Sequence, residues 1–298
     1  MKKMLLLGCI VFLGAGCVAK PEPPVLQPYD PSNQKQEQSG LPRSADKGQS
    51  QAADTNGTVS LPAKTRYMPT PGTSWQWQLE GDINMAYDVM VYDIDLFETD
   101  QGTIDALHAK NRKVICYFSA GTFEQWRPDA NLFPRAQIGN PLEDWPGEKW
   151  LDVSQYQAFQ DIMTARLDLA VRKKCDGVEP DNVDAYQNDS GFDLSPKDQL
   201  VFNRWLAKEA HARGLSIGLK NDLDQIVDLV SDFDFAVNEQ CFQYEECGEL
   251  LPFIDQNKAV FGVEYELETD AFCAEANRLG FSWLKMAYEL DGGRTACR

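Results

Sequence analysis

Hydrophobic and polar positions after residue 66 follow a repeating order: a short apolar run, then a longer amphipathic stretch. The runs are Trp75–Leu79, Val89–Ile94, Val114–Phe118, Trp150–Val153, Gly177–Val178, Ser216–Leu219, Phe233–Val237, Val260–Val263 and Trp283–Met286. Helical spacing of apolar residues marks Gln157–Val171, Asp198–Arg213 and Thr269–Leu279. Gly214 and Gly280 stand where a helix C-terminus would need a left-handed residue before the next strand. Alternation of this kind predicts a parallel sheet covered by helices. Residues 66–298 suit one α/β domain, a (β/α)8 TIM barrel, which typically takes about 250 residues. Nine runs compete for eight places, so either Trp75–Leu79 or Trp150–Val153 is a lining segment. An open doubly wound sheet is the alternative, but no GxGxxG follows an early strand.

The pattern breaks before residue 66. Lys2 and Lys3 precede an apolar stretch from Met4 to Leu13, and Gly14, Ala15 and Gly16 lead to Cys17. Residues 1–16 read as a secretory signal, too short for a mature membrane span. The cysteine after small residues resembles a bacterial lipobox, which implies lipidation of Cys17. Val18 follows, with no aspartate retention signal, so the expected address is the outer membrane. Residues 18–65 hold seven of the sixteen prolines and neither Trp nor Phe. Such a segment buries too little apolar area to offset its ordering entropy, and residues 17–65 are expected to form a disordered tether. The anchor is the expected route to the membrane, and the domain is expected to be monomeric.

Charge sharpens the division. The chain carries 28 Lys+Arg against 46 Asp+Glu, a formal net charge of -18. Lys2 and Lys3 are the only charges in the signal, and five bases balance five acids in residues 18–65. The negative excess therefore belongs to the predicted barrel. It argues against nucleic acid as a partner, since phosphate contacts need Lys and Arg. It is compatible with plain solubility or with attraction of a cationic substrate.

Six cysteines follow the signal: Cys116, Cys175, Cys241, Cys247, Cys273 and Cys297. An even count in an exported chain suggests disulfides. Local pairing would join Cys241 to Cys247 and Cys273 to Cys297, leaving Cys116 with Cys175, although spacing does not choose the connectivity. With two histidines and no CxxC, metal binding is not expected.

Polar residues gather at the ends of the apolar runs. They include Asp93 and Asp95, Tyr117, Glu179, Asp181 and Asn182, Lys220 and Asn221, Glu239, then Glu264, Tyr265 and Glu266. In a barrel these strand ends meet at one rim, where active sites form. Trp75, Trp77, Tyr117, Trp126 and Tyr265 offer flat faces for sugar rings. Two carboxylates flanking a glycosidic bond suffice for its hydrolysis, with no cofactor or metal. Glu179 and Asp181 share a strand face if the strand persists through Pro180.

The ordered segments WQWQL, YDIDLFET, VICYFSAGTFEQWRPD, EKWLDV, CDGVEPDNVDAY, AKEAHARGLSIGLKND, FDFAVNEQCFQYEEC and VFGVEY span 75–265. Together they resemble glycoside hydrolase family 114, the endo-α-1,4-polygalactosaminidase family. That resemblance implies a (β/α)8 barrel cleaving α-1,4-linked, partly deacetylated galactosamine polymers, a cationic amino-sugar polysaccharide of the microbial exopolysaccharide type. It carries the aspartate of the PDN motif onto Asp181 and the glutamate of NEQC onto Glu239. By likeness to other barrel α-galactosidases, Asp181 is the expected nucleophile and Glu239 the acid/base. Trp77, Asp93, Asp95, Tyr117, Glu179, Asn182, Lys220, Asn221, Glu264 and Tyr265 are the expected substrate contacts. Asp93, Asp95, Glu264 and Glu266 are further expected to meet substrate ammonium groups at the rim. A non-catalytic sugar-binding lipoprotein and an exo-acting α-galactosidase-like enzyme are the rival readings.

Overall fold

The structure, a computed structural model, describes residues 66–298. The signal, Cys17 and the tether expected over 18–65 lie outside the described residues. Twelve strands occur in chain order: β1 (Trp75–Gln78), β2 (Val91–Asp95), β3 (Lys113–Ser119), β4 (Thr122–Glu124), β5 (Ile138–Pro141), β6 (Glu148–Leu151), β7 (Gly177–Asp181), β8 (Ser216–Lys220), β9 (Phe235–Glu239), β10 (Val260–Glu264), β11 (Ser282–Met286) and β12 (Arg294–Ala296). The helices are α1 (Gln101–Ala109), α2 (Gln160–Lys173), α3 (Pro196–Ala212), α4 (Ile226–Leu229), α5 (Leu251–Asp255) and α6 (Thr269–Leu279).

The main sheet runs β1-β2-β3-β7-β8-β9-β10-β11-β12. Its first eight members are parallel, and β12 adds antiparallel to β11. These eight strands form the TIM barrel. At the seam between β1 and β11, the Trp75 indole N–H donates to the Ser282 carbonyl at 2.9 Å. β4, β6 and β5 form a separate antiparallel sheet, which settles the surplus run. Trp75–Leu79 supplies a barrel strand, and Trp150–Val153 starts in the small sheet inserted after β3.

Two apolar cores follow from the period-2 alternation of side chains along each strand. Trp75, Val91, Ile115, Phe235, Phe261 and Leu284 belong to the inner one. Outward residues such as Tyr92, Phe118 and Val178 pack with helix residues Leu107, Leu167 and Phe202 in the other. Helix starts depend on local chemistry. Ser195 and Asp198 make a reciprocal capping box ahead of Pro196, which moves the start of α3 two residues before the expected Asp198. Before α2, residues 153–158 form a kinked 3-10 segment, so the helix begins at Gln160 and not at Gln157. Gly280 ends α6 in the left-handed region at φ 81°.

The disulfides are Cys116–Cys175, Cys241–Cys247 and Cys273–Cys297, as local pairing suggests. The second closes a loop directly after Glu239.

Candidate active site

β7 persists through Pro180 because its partner on one side, β3, runs alongside it to Asp181. Glu179 and Asp181 therefore share the inner face, Asp181 at the strand end and Glu179 one step deeper. Asp181 accepts from Tyr117 Oη at 2.9 Å, from Lys220 Nζ at 3.1 Å and from the Asn182 backbone N–H at 2.8 Å. Glu239, at the end of β9, accepts from Tyr265 Oη at 2.5 Å and from Asn221 Nδ2 at 3.1 Å. Its Oε2 also lies 3.3 Å from Lys220 Nζ. One ammonium thus bridges Asp181 and Glu239. Burial opposes the charge on Lys220, but Asp181, Glu239 and Glu179 outweigh it and hold the lysine protonated, well above its ordinary range.

The backbone turns sharply after each of these strands. Asn182 follows Asp181 at φ 59°, Asn221 and Asp222 follow Lys220 at φ 48° and 40°, and Gln240 follows Glu239 at φ 64°. The left-handed region is costly for residues other than glycine, least so for Asn and Asp. Three such turns bring Asp181, Lys220 and Glu239 to the mouth of the barrel together. Gly121 lets the β3–β4 turn pass against Asn182: a Cβ there would lie 1.7 Å from the Asn182 carbonyl oxygen.

Several expected substrate contacts sit elsewhere. Asp93 is wholly buried inside the barrel, because period-2 alternation places it one layer below Asp95. Asp95 reaches the cleft, but Arg127 grips both its oxygens at 3.0 and 2.7 Å. Glu264 points to the opposite side of β10 from Tyr265 and accepts from the Phe242 N–H at 2.9 Å, fully buried. Glu266 is exposed outside the cleft lining. Asp93, Asp95 and Glu264 are thus not free rim charges, and for these three that expectation is corrected. Trp75 lies in the inner core. Trp77 forms the floor of the site, its indole N–H on Glu179 Oε2 at 3.1 Å and its ring 4.8 Å from Lys220 Nζ. Tyr117, Asn182, Asn221 and Tyr265 do line the cleft, and three of them hold Asp181 or Glu239 through their side chains. The fourth, Asn182, reaches Asp181 through its backbone, while its side chain donates to Glu148 at 3.1 Å.

The cleft encloses about 640 Å³. Eleven carboxylate residues line it against two cations, Arg127 and Lys220. Both cations are already paired, so the unpaired charge facing substrate is negative. The rim acids are Glu80, Asp184, Asp224, Glu246 and Glu289, most of them in loops that no strand pattern marks. Glu148 also escaped the sequence argument. It lies on β6, beside the catalytic strands only because the small sheet folds back. Trp126, Trp145, Tyr244 and Tyr288 present the exposed aromatic faces, at 48 to 60% exposure. Trp126 was expected; the other three stand in loops without periodicity.

The sequence model of the glycoside-hydrolase family GH114 matches residues 56–298. The chain belongs to this family. Among solved structures it is similar to Ega3 of Aspergillus fumigatus, crystallised in complex with galactosamine. That likeness has 43% identity and a TM-score of 0.75, covering 78% of this chain and 98% of Ega3. The glycoside hydrolase domain of PelA from Pseudomonas aeruginosa shares the fold, at 11% identity and a TM-score of 0.59, over 76% of this chain and 99% of that one. An uncharacterized protein of Deinococcus radiodurans is 30% identical over 148 residues. The match covers 46% of this chain, which spans just under half the length of that relative, also 46%.

Membership of GH114 makes this chain a glycosidase and gives its crowded carboxylates a context. Burial pushes Glu148 and Glu179 up to about 7, Asp184 up to about 6 and Asp222 up to about 8. Neighbouring carboxylates add to each of these shifts. A carboxyl whose folded value is raised binds its proton more tightly when folded. Its contribution to stability is complete below the unfolded value and is lost as pH rises through the folded one. The GH114 domain should therefore melt higher at pH 5 than at pH 8.5, by about 5 °C. Scanning calorimetry showing the reverse order would contradict the assignment of these shifts.

Proposed function

We propose that this chain is an endo-acting glycoside hydrolase that cleaves α-1,4-linked galactosamine/N-acetylgalactosamine polymer by a retaining mechanism. The observation that carries the reading is one buried ammonium, Lys220, bridging Asp181 and Glu239 at the mouth of an acidic cleft. The 43% identity to Ega3, whose structure holds galactosamine, supports the amino-sugar part.

In this reading Asp181 attacks the anomeric carbon while Glu239 gives its proton to the leaving oxygen. Glu239 then takes a proton from the water that frees the sugar. Three donors converge on Asp181 and fix its orientation, as a nucleophile requires. The nearest oxygens of the two carboxylates are no further apart than contacts of 3.1 and 3.3 Å laid end to end. That bound leaves room for the separation of about 5–5.5 Å found in retaining enzymes.

Endo action is supported by exposed aromatic faces on both sides of the pair. Trp126 and Trp145 follow the third barrel strand, whereas Tyr244 and Tyr288 follow the sixth and eighth, across the ring. A chain threaded between them would present an internal linkage to Asp181. Mass spectrometry of products from purified polymers of known acetylation tests the reading. Oligomers are expected; monosaccharide alone would indicate exo action, and no products would favour the sugar-binding alternative.

The acidic lining favours a polymer that carries ammonium groups. Deacetylated polymer is expected to be cleaved about tenfold faster than fully acetylated polymer, with the advantage shrinking as salt screens the rim. Equal rates on both, indifferent to salt, would exclude charge recognition. Lipid attachment at Cys17 would tether this activity to the outer membrane. Cys17→Ser is then expected to move the protein from the membrane fraction to the soluble one, and an unchanged distribution would refute the anchor.

A further inference from the structure

Below the catalytic pair lies a second pair of carboxyls that the reaction as written does not use. Glu179 is fully buried; Oε2 accepts from Trp77 Nε1 at 3.1 Å and Oε1 lies 3.3 Å from Lys220 Nζ. Asp93, on β2 and also fully buried, lies within hydrogen-bond reach of Glu179, and neither Asp93 oxygen meets a donor among the described residues. Two carboxyls can meet in a dry interior only if one carries a proton that the other accepts.

The charges around Lys220 make the consequence clear. Asp93 approaches from β2, Tyr117 from β3, Glu179 and Asp181 from β7, Glu239 from β9 and Tyr265 from the end of β10. β1 contributes the uncharged Trp77, and Lys220 itself is the only cation of the group. With Asp184, in the loop after β7, five carboxyls therefore share one ammonium. Retaining hydrolysis requires Asp181 ionised and Glu239 protonated at the same time. An unopposed ammonium beside both would favour ionisation of both.

Resting on the assignment of Asp181 and Glu239, we propose that Asp93 and Glu179 form a shared-proton pair, Asp93 donating to an anionic Glu179, which holds Lys220 between the two catalytic carboxyls and offsets its charge. Glu179 and Asp93 are positioning residues in this scheme, acting through Lys220 without touching substrate. Burial and the negative charge of Glu179 both favour the protonated form of Asp93. The hydrogen bond from Asp93 and the charge of Lys220 favour the ionised form of Glu179 against its burial.

The test is the pH profile of kcat/KM on the galactosamine polymer, measured on the whole domain. Glu179→Gln keeps the shape and the acceptor for Trp77 but removes the offsetting charge. Lys220 then acts undiminished on both catalytic carboxyls, and the alkaline limb is expected to move down by about one pH unit. Asp93→Ala removes the donor, drives Glu179 toward its neutral form and should move the limb the same way. Asp93→Asn restores a donor and should bring the limb back toward the wild-type position. Infrared spectra of wild type minus Asp93→Asn at pH 7 should show one carbonyl band of a neutral, buried carboxylic acid, over and above those common to both proteins such as that of Asp222.

A folded Glu179→Gln enzyme with a lower rate but an unmoved profile would overturn the proposal. So would an Asp93→Asn profile displaced as far as that of Asp93→Ala, or the absence of that band from the difference between wild type and Asp93→Asn. Should Asp181→Asn and Glu239→Gln retain cleavage, the glycosidase assignment itself would fail. If both are inactive while Glu179→Gln leaves the profile in place, only the shared-proton pair fails.

Discussion

Asp181→Asn is expected to lower polymer cleavage by at least about 10³-fold, with the fold of the domain intact. The isosteric amide removes the negative charge that attacks the anomeric carbon, and nothing else in the cleft is placed to replace it. Glu239 faces the other side of Lys220, and Asp184 is held back by burial. Glu239→Gln should lose a similar factor on polymer but much less on a substrate with an acidic leaving group, which departs without a proton. This contrast tells the two roles apart. Equal losses on both substrates for both variants would reverse or erase the division of labour. Activity near wild type in either variant would refute the pair.

Lys220→Met should be the most destabilising single change at the site. The side chain is only 3% exposed, and three carboxylates lie within 3.3 Å of its ammonium. Removing one partner of a buried ionic cluster leaves uncompensated charge, which costs ~3–5 kcal/mol in comparable cases. The lysine stays charged throughout the neutral range, so its contribution is present there in full. Its loss should matter most at high pH, where Glu179, Asp181 and Glu239 are all ionised. At pH 5 the cluster can take up protons and relieve part of the repulsion. Denaturant titrations at pH 5 and pH 8 should show the smaller deficit at pH 5. A deficit independent of pH would mean that Lys220 stabilises by packing alone.

The barrel was legible because strands and helices differ in period. Gly177–Val178 was marked by only two apolar residues, yet β7 runs on through Glu179, Pro180 and Asp181. Polar residues on a barrel strand face the interior layer, not the core between sheet and helices, so hydrophobicity alone truncates such a strand. Trp150–Val153 misled for the opposite reason. Its apolar residues serve the small antiparallel sheet, and a run of four says nothing about its partner.

That Asp181 and Glu239 each close a strand was readable from motif and position. Depth was not. Asp93 and Asp95 stand two residues apart on one face, and the pair looks like a single acidic rim. One strand step separates a fully buried residue, level with Trp77, from one gripped by Arg127 at the cleft. Glu264 and Tyr265 are adjacent, so alternation sends them to opposite sides of the sheet, and only the tyrosine reaches Glu239.

By itself, then, the sequence determined the alternation of elements, the confinement of the negative excess to residues 66–298, and the two carboxylates at strand ends. Each of these is local: a period, a composition, a residue following an apolar run. The tertiary structure alone decided which run joins the barrel, which acids are sealed in and which face the cleft, and that one lysine bridges Asp181 and Glu239. Those facts depend on strand order and depth, because residues distant in sequence share charge and solvent only after the sheet has curled.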